Sequence, residues 1–377
     1  MKRLAGLDSF KAVACLMVIM IHVTAAPVTV LANVNAESAF ADVLVRLLVI
    51  FNRFAKPSVP MFIFASGLAL YYRYGESRDK EVCAESEARG GASGSGDFRY
   101  FEFLKRRVVK IVVPYALWCA VYYGWFICVG IYEFDAAFFA VNLLSGKMMY
   151  HLYFVIAIVQ YYLLFGVFRR LTANCSAAFV IPSALAVNLA EVCLIADKYY
   201  GRCFLTYITV FLLGTYTAKH IDAVNRAVAG RKALVILGAA SLAAGAVYTM
   251  QFTRDMEWER GIFDDDKILF TIFSILASLF IYGLCVLLAE KANGGCNLSV
   301  KIEFVLGQIS KGSFYIFLAH PLAMLAAGEL CRYIGVTGVL REMAVSVILI
   351  LVFCIPLAIA YANLRAGRHK NRIEKNL

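Results

Sequence analysis

Five ionisable side chains lie within, or at the edge of, runs that are otherwise apolar: Lys11, His22, His151, Glu191 and His320. The neutral Gln160 and Asn188 share that setting. An ionisable group is costly in hydrocarbon, so such residues pair with one another or serve a task. Imidazole changes charge near neutrality, which suits it to take the proton of a hydroxyl in a group-transfer reaction. Lys11 and His22 are eleven positions apart. On a helix that spacing puts them on one face to within about 20° and about 16 Å apart along the axis. Two polar groups on one stripe at different depths describe a pathway across a membrane. His151 opens one apolar run from its outer end, and His320 lies past the middle of another, just before Pro321. All three histidines therefore fall toward the outer half, and the shared depth favours a functional cluster over three unrelated packing contacts. Glu191 reads instead as bonded to a neighbouring helix. No two histidines have helical ligand spacing and no cysteine or carboxylate flanks them, so no metal site is expected. Ser66-Gly67 lacks a nucleophile-elbow context, and no GxSxG is present.

The elements that must carry these residues follow from composition. Of 377 residues, 62% are hydrophobic and only 17% charged, well below the charged fraction of soluble domains. The chain therefore reads as all-α, a polytopic membrane bundle of about ten transmembrane helices. The runs are approximately 10–30, 57–72, 109–130, 151–168, 176–196, 203–219, 233–250, 268–289, 304–327 and 343–363. The second is short, so the amphipathic stretch 41–55 before it is expected along the interface. In the ninth, Gly307-Gln-Ile-Ser-Lys-Gly312 marks a broken or re-entrant helix. Lys2-Arg3, an apolar run and Thr24-Ala25-Ala26 resemble a signal peptide, but Asp8, Lys11 and His22 interrupt it, so an uncleaved first helix is expected.

The charge balance, Lys+Arg 37 against Asp+Glu 26, is +11. With the N-terminus inside, 25 Lys/Arg fall in inner segments and 11 in outer loops, as the positive-inside rule requires. Both termini are then cytoplasmic, and the basic excess is chiefly an orientation signal that calls for no nucleic acid. Residues 1–363 form one membrane-embedded domain, interrupted by a cytoplasmic linker at about 73–104 that contains Gly90-Gly-Ala-Ser-Gly-Ser-Gly96, and 364–377 form a basic tail. Segment 251–267 is an acidic outer loop, either solvated or facing an acceptor or cation. The 11 cysteines include no CxxC pair and read as small hydrophobes. The cluster Lys105-Arg106-Arg107-Val-Val-Lys110 before Pro114-Tyr115 is either a positive-inside anchor that meets anionic lipid or a phosphate-binding mouth.

In order along 7–321, five segments resemble the integral-membrane acyltransferase-3 family. They are Leu7-Asp8…Lys11…His22, Pro60-Met-Phe-Ile-Phe-Ala-Ser66-Gly67, Arg106-Arg107-Val-Val-Lys110 with Pro114-Tyr115, His151-Leu-Tyr-Phe154, and Phe314-Tyr-Ile-Phe-Leu-Ala-His320-Pro321. The first helix looks most like the O-acetyltransferases acting on enterobacterial common antigen. Lys11 and Lys110 stand where the family has Arg, which keeps the charge but loses the bidentate fork, and Tyr153 stands for Trp.

The resemblance implies an acyltransferase of the cell membrane that takes an acyl group, usually acetyl, from cytoplasmic acyl-CoA to a saccharide hydroxyl. No resident cofactor is implied, since acetyl-CoA is a substrate. It places the CoA phosphates at Arg106, Arg107 and Lys110, runs the pantetheine past Lys11, and makes His22 the general base, with His151 and His320 orienting it, binding the acceptor or stabilising the oxyanion. An acyl-histidine intermediate fits the same residues. The resemblance also leads to the expectation that no soluble second domain finishes the transfer. Two other classes compete: a flippase for lipid-linked saccharides, which would consume no acyl-CoA, and a non-catalytic scaffold or sensor, which gives no reason for the Lys–His stripe.

Overall fold

A computed structural model describes residues 4–32, 39–75, 99–194, 201–257 and 265–374. Most of the 73–104 linker, and Glu259 and Asp264 of the acidic loop, lie outside them. The described residues are helical between short turns, without a strand. That follows from the solvent: in lipid each backbone N–H and C=O must find its partner within the segment. In chain order the helices are α1 (Leu7–Ala32), α2 (Ala39–Ala55), α3 (Ser58–Tyr74), α4 (Tyr100–Arg107), α5 (Val113–Cys128), α6 (Ala136–Ser145), α7 (Tyr153–Asn174) and α8 (Ala177–Leu194). They continue as α9 (Ile208–Lys219), α10 (Ile221–Ala229), α11 (Arg231–Glu257), α12 (Asp265–Asn293), α13 (Asn297–Tyr333), α14 (Val339–Leu349) and α15 (Ile355–Glu374). Among the described residues, eight helical segments are long and apolar enough to cross a membrane. The expected spans 176–196 and 203–219 fall on the shorter α8 and α9.

The chain forms two compact units, residues 1–62 with 225–377, and residues 63–224. In the first, α1 and α13 run parallel. Ser310 donates to Asp8 at 3.0 Å, the Cys15 thiol to the Ser313 carbonyl at 3.8 Å, and His22 meets His320, so partners ascend both helices together. The break expected at 307–312 is absent, and α13 is continuous through it. The reason is local. Ser313 returns its hydroxyl to the Ser310 carbonyl, and Ser310 bonds across to α1. Gly312 lets α15 approach until a Cβ would stand 3.2 Å from Ile359. These small polar residues are interface residues, and one helical glycine costs only about 1 kcal/mol.

Nor does 41–55 lie apart along the interface. α2 packs antiparallel to the later half of α1: Val28 clusters with Leu48 and Val49, and a turn further Asn52 reaches α1 beside His22. Asn52 Nδ2 donates to the Ile21 carbonyl and to Thr24 Oγ1, both at 2.9 Å. Arg53, 5% exposed, lays its guanidinium 3.8 Å from the Tyr248 ring centre and 4.2 Å from that of Phe252, tying α2 to α11. Asn52→Ala is expected to lower stability by about 1 kcal/mol, because both donors are lost from a buried face of α1. A thermal melt of the purified variant checks this, and an unchanged midpoint would show that the α1–α2 contact does not depend on Asn52.

In the second unit, α3 and α9 cross at two glycines. A Cβ on Gly67 would lie 2.2 Å from the Phe211 carbonyl oxygen, and one on Gly214 would lie 2.2 Å from that of Phe64. Thr172 and Thr215 share a buried hydrogen bond of 2.9 Å between α7 and α9. Lys219 donates to the last-turn carbonyls of Thr172 and Ala173 at 2.7 and 3.0 Å, where a cation suits the helix C-terminus. Glu191 accepts from Thr206 at 2.8 Å, with Thr206 in the 3-10 turn Phe204–Tyr207, so it is bonded to a neighbouring element. Among the described residues each unit has one π-helical turn, Val108–Val112 and Ile350–Cys354, and each ends two residues before a proline, Pro114 and Pro356. Proline cannot donate to the carbonyl four residues back, so the helix closes with an i−5 bond instead: Val113 N–H to Val108 and Ile355 N–H to Ile350.

Candidate active site

α1 carries Lys11 and His22 on a continuous 26-residue helix, so the stripe read from their spacing is intact. His22 is half-buried and His320 fully buried. Their rings stack at 5.2 Å between centroids with 26° between planes. His320 Nδ1 is 3.0 Å from the Ile316 carbonyl. A carbonyl can only accept, so Nδ1 carries the hydrogen and Nε2 presents a lone pair in the neutral ring. Pro321, the next residue, has no N–H to donate to the Phe317 carbonyl one turn back. The pair thus combines one imidazole of fixed tautomer with a second imidazole on a parallel helix.

The surroundings of His22 draw on Asn52 of the stretch 41–55, on Lys56, counted among the outer-loop cations, and on Ser58 at the start of the expected span 57–72. Asn52 donates to the Ile21 carbonyl, one residue before His22, and to the Thr24 hydroxyl, two after it. The charge of Lys56, one turn beyond Asn52, acts on the His22 ring. Ser58, the first residue of α3, is 0% exposed. A signal was present in Pro57-Ser-Val-Pro60 after an amphipathic run, because a helix ending at one proline and restarting before another breaks an apolar segment.

The remaining expected residues lie in residues 63–224. His151, 1% exposed, stands just before α7 and meets Tyr122 and Tyr150 edge-on, each at 5.7 Å. Arg106 pairs with Glu102 at 3.2 Å, and Glu102 also holds Arg99 at 2.9 Å. Exposed pairs of this kind contribute little to stability and are readily exchanged for another anion. Arg107 lies 5.4 Å from the ring centres of both Phe103 and Tyr162, which directs its stem along apolar surface. Lys110 is exposed on the π turn. Arg106 and Arg107 are adjacent and Lys110 stands one turn on, so the three cations together suit phosphate.

Imidazoles stacked on parallel helices are chemically able to carry a proton, and the family comparison supplies the reaction class. The family described as the acyltransferase domain, acyltransferase-3, matches residues 4–362. The chain belongs to this acyltransferase family. It is a multi-pass membrane enzyme of that class, as the ordered motifs of α1, α3, α4 and α13 led one to expect. Comparison with curated proteins and with solved structures returned no match. In an acyltransferase the acceptor must lose a proton, and in the first unit His22 and His320 are two titratable rings held together.

Proposed function

We propose that this acyltransferase is an O-acetyltransferase of the cell membrane, moving an acetyl group from cytoplasmic acetyl-CoA to a hydroxyl of a surface or lipid-linked saccharide. The observation that carries the reading is the His22–His320 stack on a helix that also bears Lys11. The bias of Lys and Arg toward inner segments supports cytoplasmic termini and ten crossings, with the His22 end of α1 toward the outer side. On this reading His22 takes the proton of the acceptor hydroxyl and His320 holds it in place. His151 serves the acceptor, and Arg106, Arg107 and Lys110 hold the phosphates of the donor. The first-helix likeness to enzymes of enterobacterial common antigen supports a saccharide acceptor. A flippase of lipid-linked saccharide is not favoured, since family membership assigns acyl transfer.

The test is acetyl-ester analysis of surface glycans from a deletion strain, complemented with the wild-type or His22→Ala chain. Loss of O-acetyl groups with normal glycan export, restored only by the wild type, is the expected result. Loss of export would point to the flippase. Arg107→Ala is expected to raise the KM for acetyl-CoA about tenfold, the loss of one charge-assisted hydrogen bond, with kcat little changed. Saturation curves on purified enzyme decide it, and an unchanged KM returns the cluster to a lipid anchor.

A further inference from the structure

The discontinuous helix of this fold is formed by α2 and α3. By length and apolarity 43–74 is a single candidate span, yet α2 ends at Ala55, the Lys56 N–H turns back to the Arg53 carbonyl, and α3 restarts with Met61 N–H bonded to Pro57. The level of this break is set from both sides. Asn52, before it, bonds α1 at Ile21 and Thr24. Phe62, after it, packs in the cluster that holds Ile19 and Val23 of α1 and Ala319 and Ala323 of α13. Those residues flank His22 and His320, so the break lies alongside the histidine pair.

Three features of the break suit a developing negative charge. α3 is 17 residues long, and its first-turn N–H groups, those of Ser58 and Val59, have no acceptor within the helix. They form the positive end of its dipole. Ser58 is 0% exposed and its Oγ makes no hydrogen bond, so a buried donor stands at that helix end with its bonding capacity unused. Lys56 brings a full positive charge that already acts on His22.

We propose that the α2–α3 break is the oxyanion site of the transfer, in which Ser58 Oγ, the first turn of α3 and Lys56 hold the carbonyl oxygen of the acyl thioester. This rests on the acyl-CoA reading above and names the residues that stabilise its transition state. The acceptor oxygen attacks the thioester carbonyl carbon and forms the new C–O bond. The C=O π pair moves onto oxygen, facing Ser58 and Lys56, as the hydroxyl proton passes to a ring nitrogen of His22. Collapse restores the carbonyl and breaks the C–S bond, whose electron pair leaves on sulfur. The proton on His22 then passes to that thiolate, giving the acyl ester and free CoA thiol. Preorganised donors of this kind act where charge develops and cost no reorganisation when it does.

The experiment uses the full-length enzyme in lipid nanodiscs. It measures kcat and KM for acetyl-CoA together with binding of two inert analogues. One is a ketone in which methylene replaces the thioester sulfur, and the other is S-ethyl-CoA, which lacks the carbonyl. Lys56→Met is expected to lower kcat about 10²-fold and Ser58→Ala about tenfold, with KM within about twofold, and Lys56→Arg to restore part of the loss. The preference of the wild type for the ketone over the thioether should shrink in both variants. Wild-type kcat in both, or loss of kcat with the ketone preference intact, overturns the oxyanion site. If Lys56→Met does not fold, Ser58→Ala, which deletes a single oxygen, supplies the same two readouts. Absence of acetyl transfer by the wild type would instead sink the acyl-CoA reading itself.

Discussion

His22→Ala is expected to reduce acyl transfer by about 10²–10⁴-fold, the contribution of a positioned general base, while the protein still inserts and folds. The separation of the two effects follows from the setting of the residue. His22 is half-buried, and α1 is held to α13 by Asp8–Ser310 and Cys15–Ser313 and to α2 by Asn52. None of these contacts involves the imidazole. Truncation therefore removes the stacking contact with His320 while these helix-to-helix contacts remain. Transfer assays and melting curves on the same purified sample separate chemistry from folding. A variant that retains transfer within a few-fold of wild type would remove His22 from the mechanism.

The second large effect is structural. Gly67→Ala and Gly214→Ala are each expected to cost about 3 kcal/mol, the upper end of overpacking penalties, and to reduce the yield of folded protein. Each added Cβ meets a carbonyl oxygen at 2.2 Å, and Gly214 faces the Leu68 nitrogen at 2.9 Å as well. These are backbone atoms that cannot rotate aside, so α3 and α9 must move apart. One separation relieves both clashes, and the double variant should therefore cost clearly less than the two single losses together. Wild-type melting of either variant would mean that the crossing is not set by these glycines. The Ser66-Gly67 motif that supported the family resemblance thus has a packing explanation: glycine is required there so that two helices can touch backbone to backbone.

Much of this was legible in the chain itself, for reasons of range. Hydropathy and the helical repeat act over one or two turns, so the membrane class, the all-helical fold and the shared face of Lys11 and His22 follow from neighbouring residues alone. Depth along a span is also local, which is why His22 and His320 could be matched in level before they were seen to stack. Pairing between helices is not local. Gly307–Gly312 reads as a break in isolation, and only α1 and α15, packed against Ser310 and Gly312, show it to be an interface. The stretch 41–55 reads as interfacial until Val28 and Ile21 of α1 are seen to hold Leu48 and Asn52. Lys56 and Ser58 were missed for the same reason. Charge counting along the chain assigns Lys56 to an outer loop and hydropathy places Ser58 at the start of a span, whereas antiparallel packing of α2 on α1 carries both down to the level of His22. Composition and spacing put Lys11 and His22 on one face of α1 and gave the chain its apolar, membrane-spanning character. Which distant helix each residue meets, and so which residues form one site, depended on tertiary packing, because complementarity between faces far apart in sequence has no local signature.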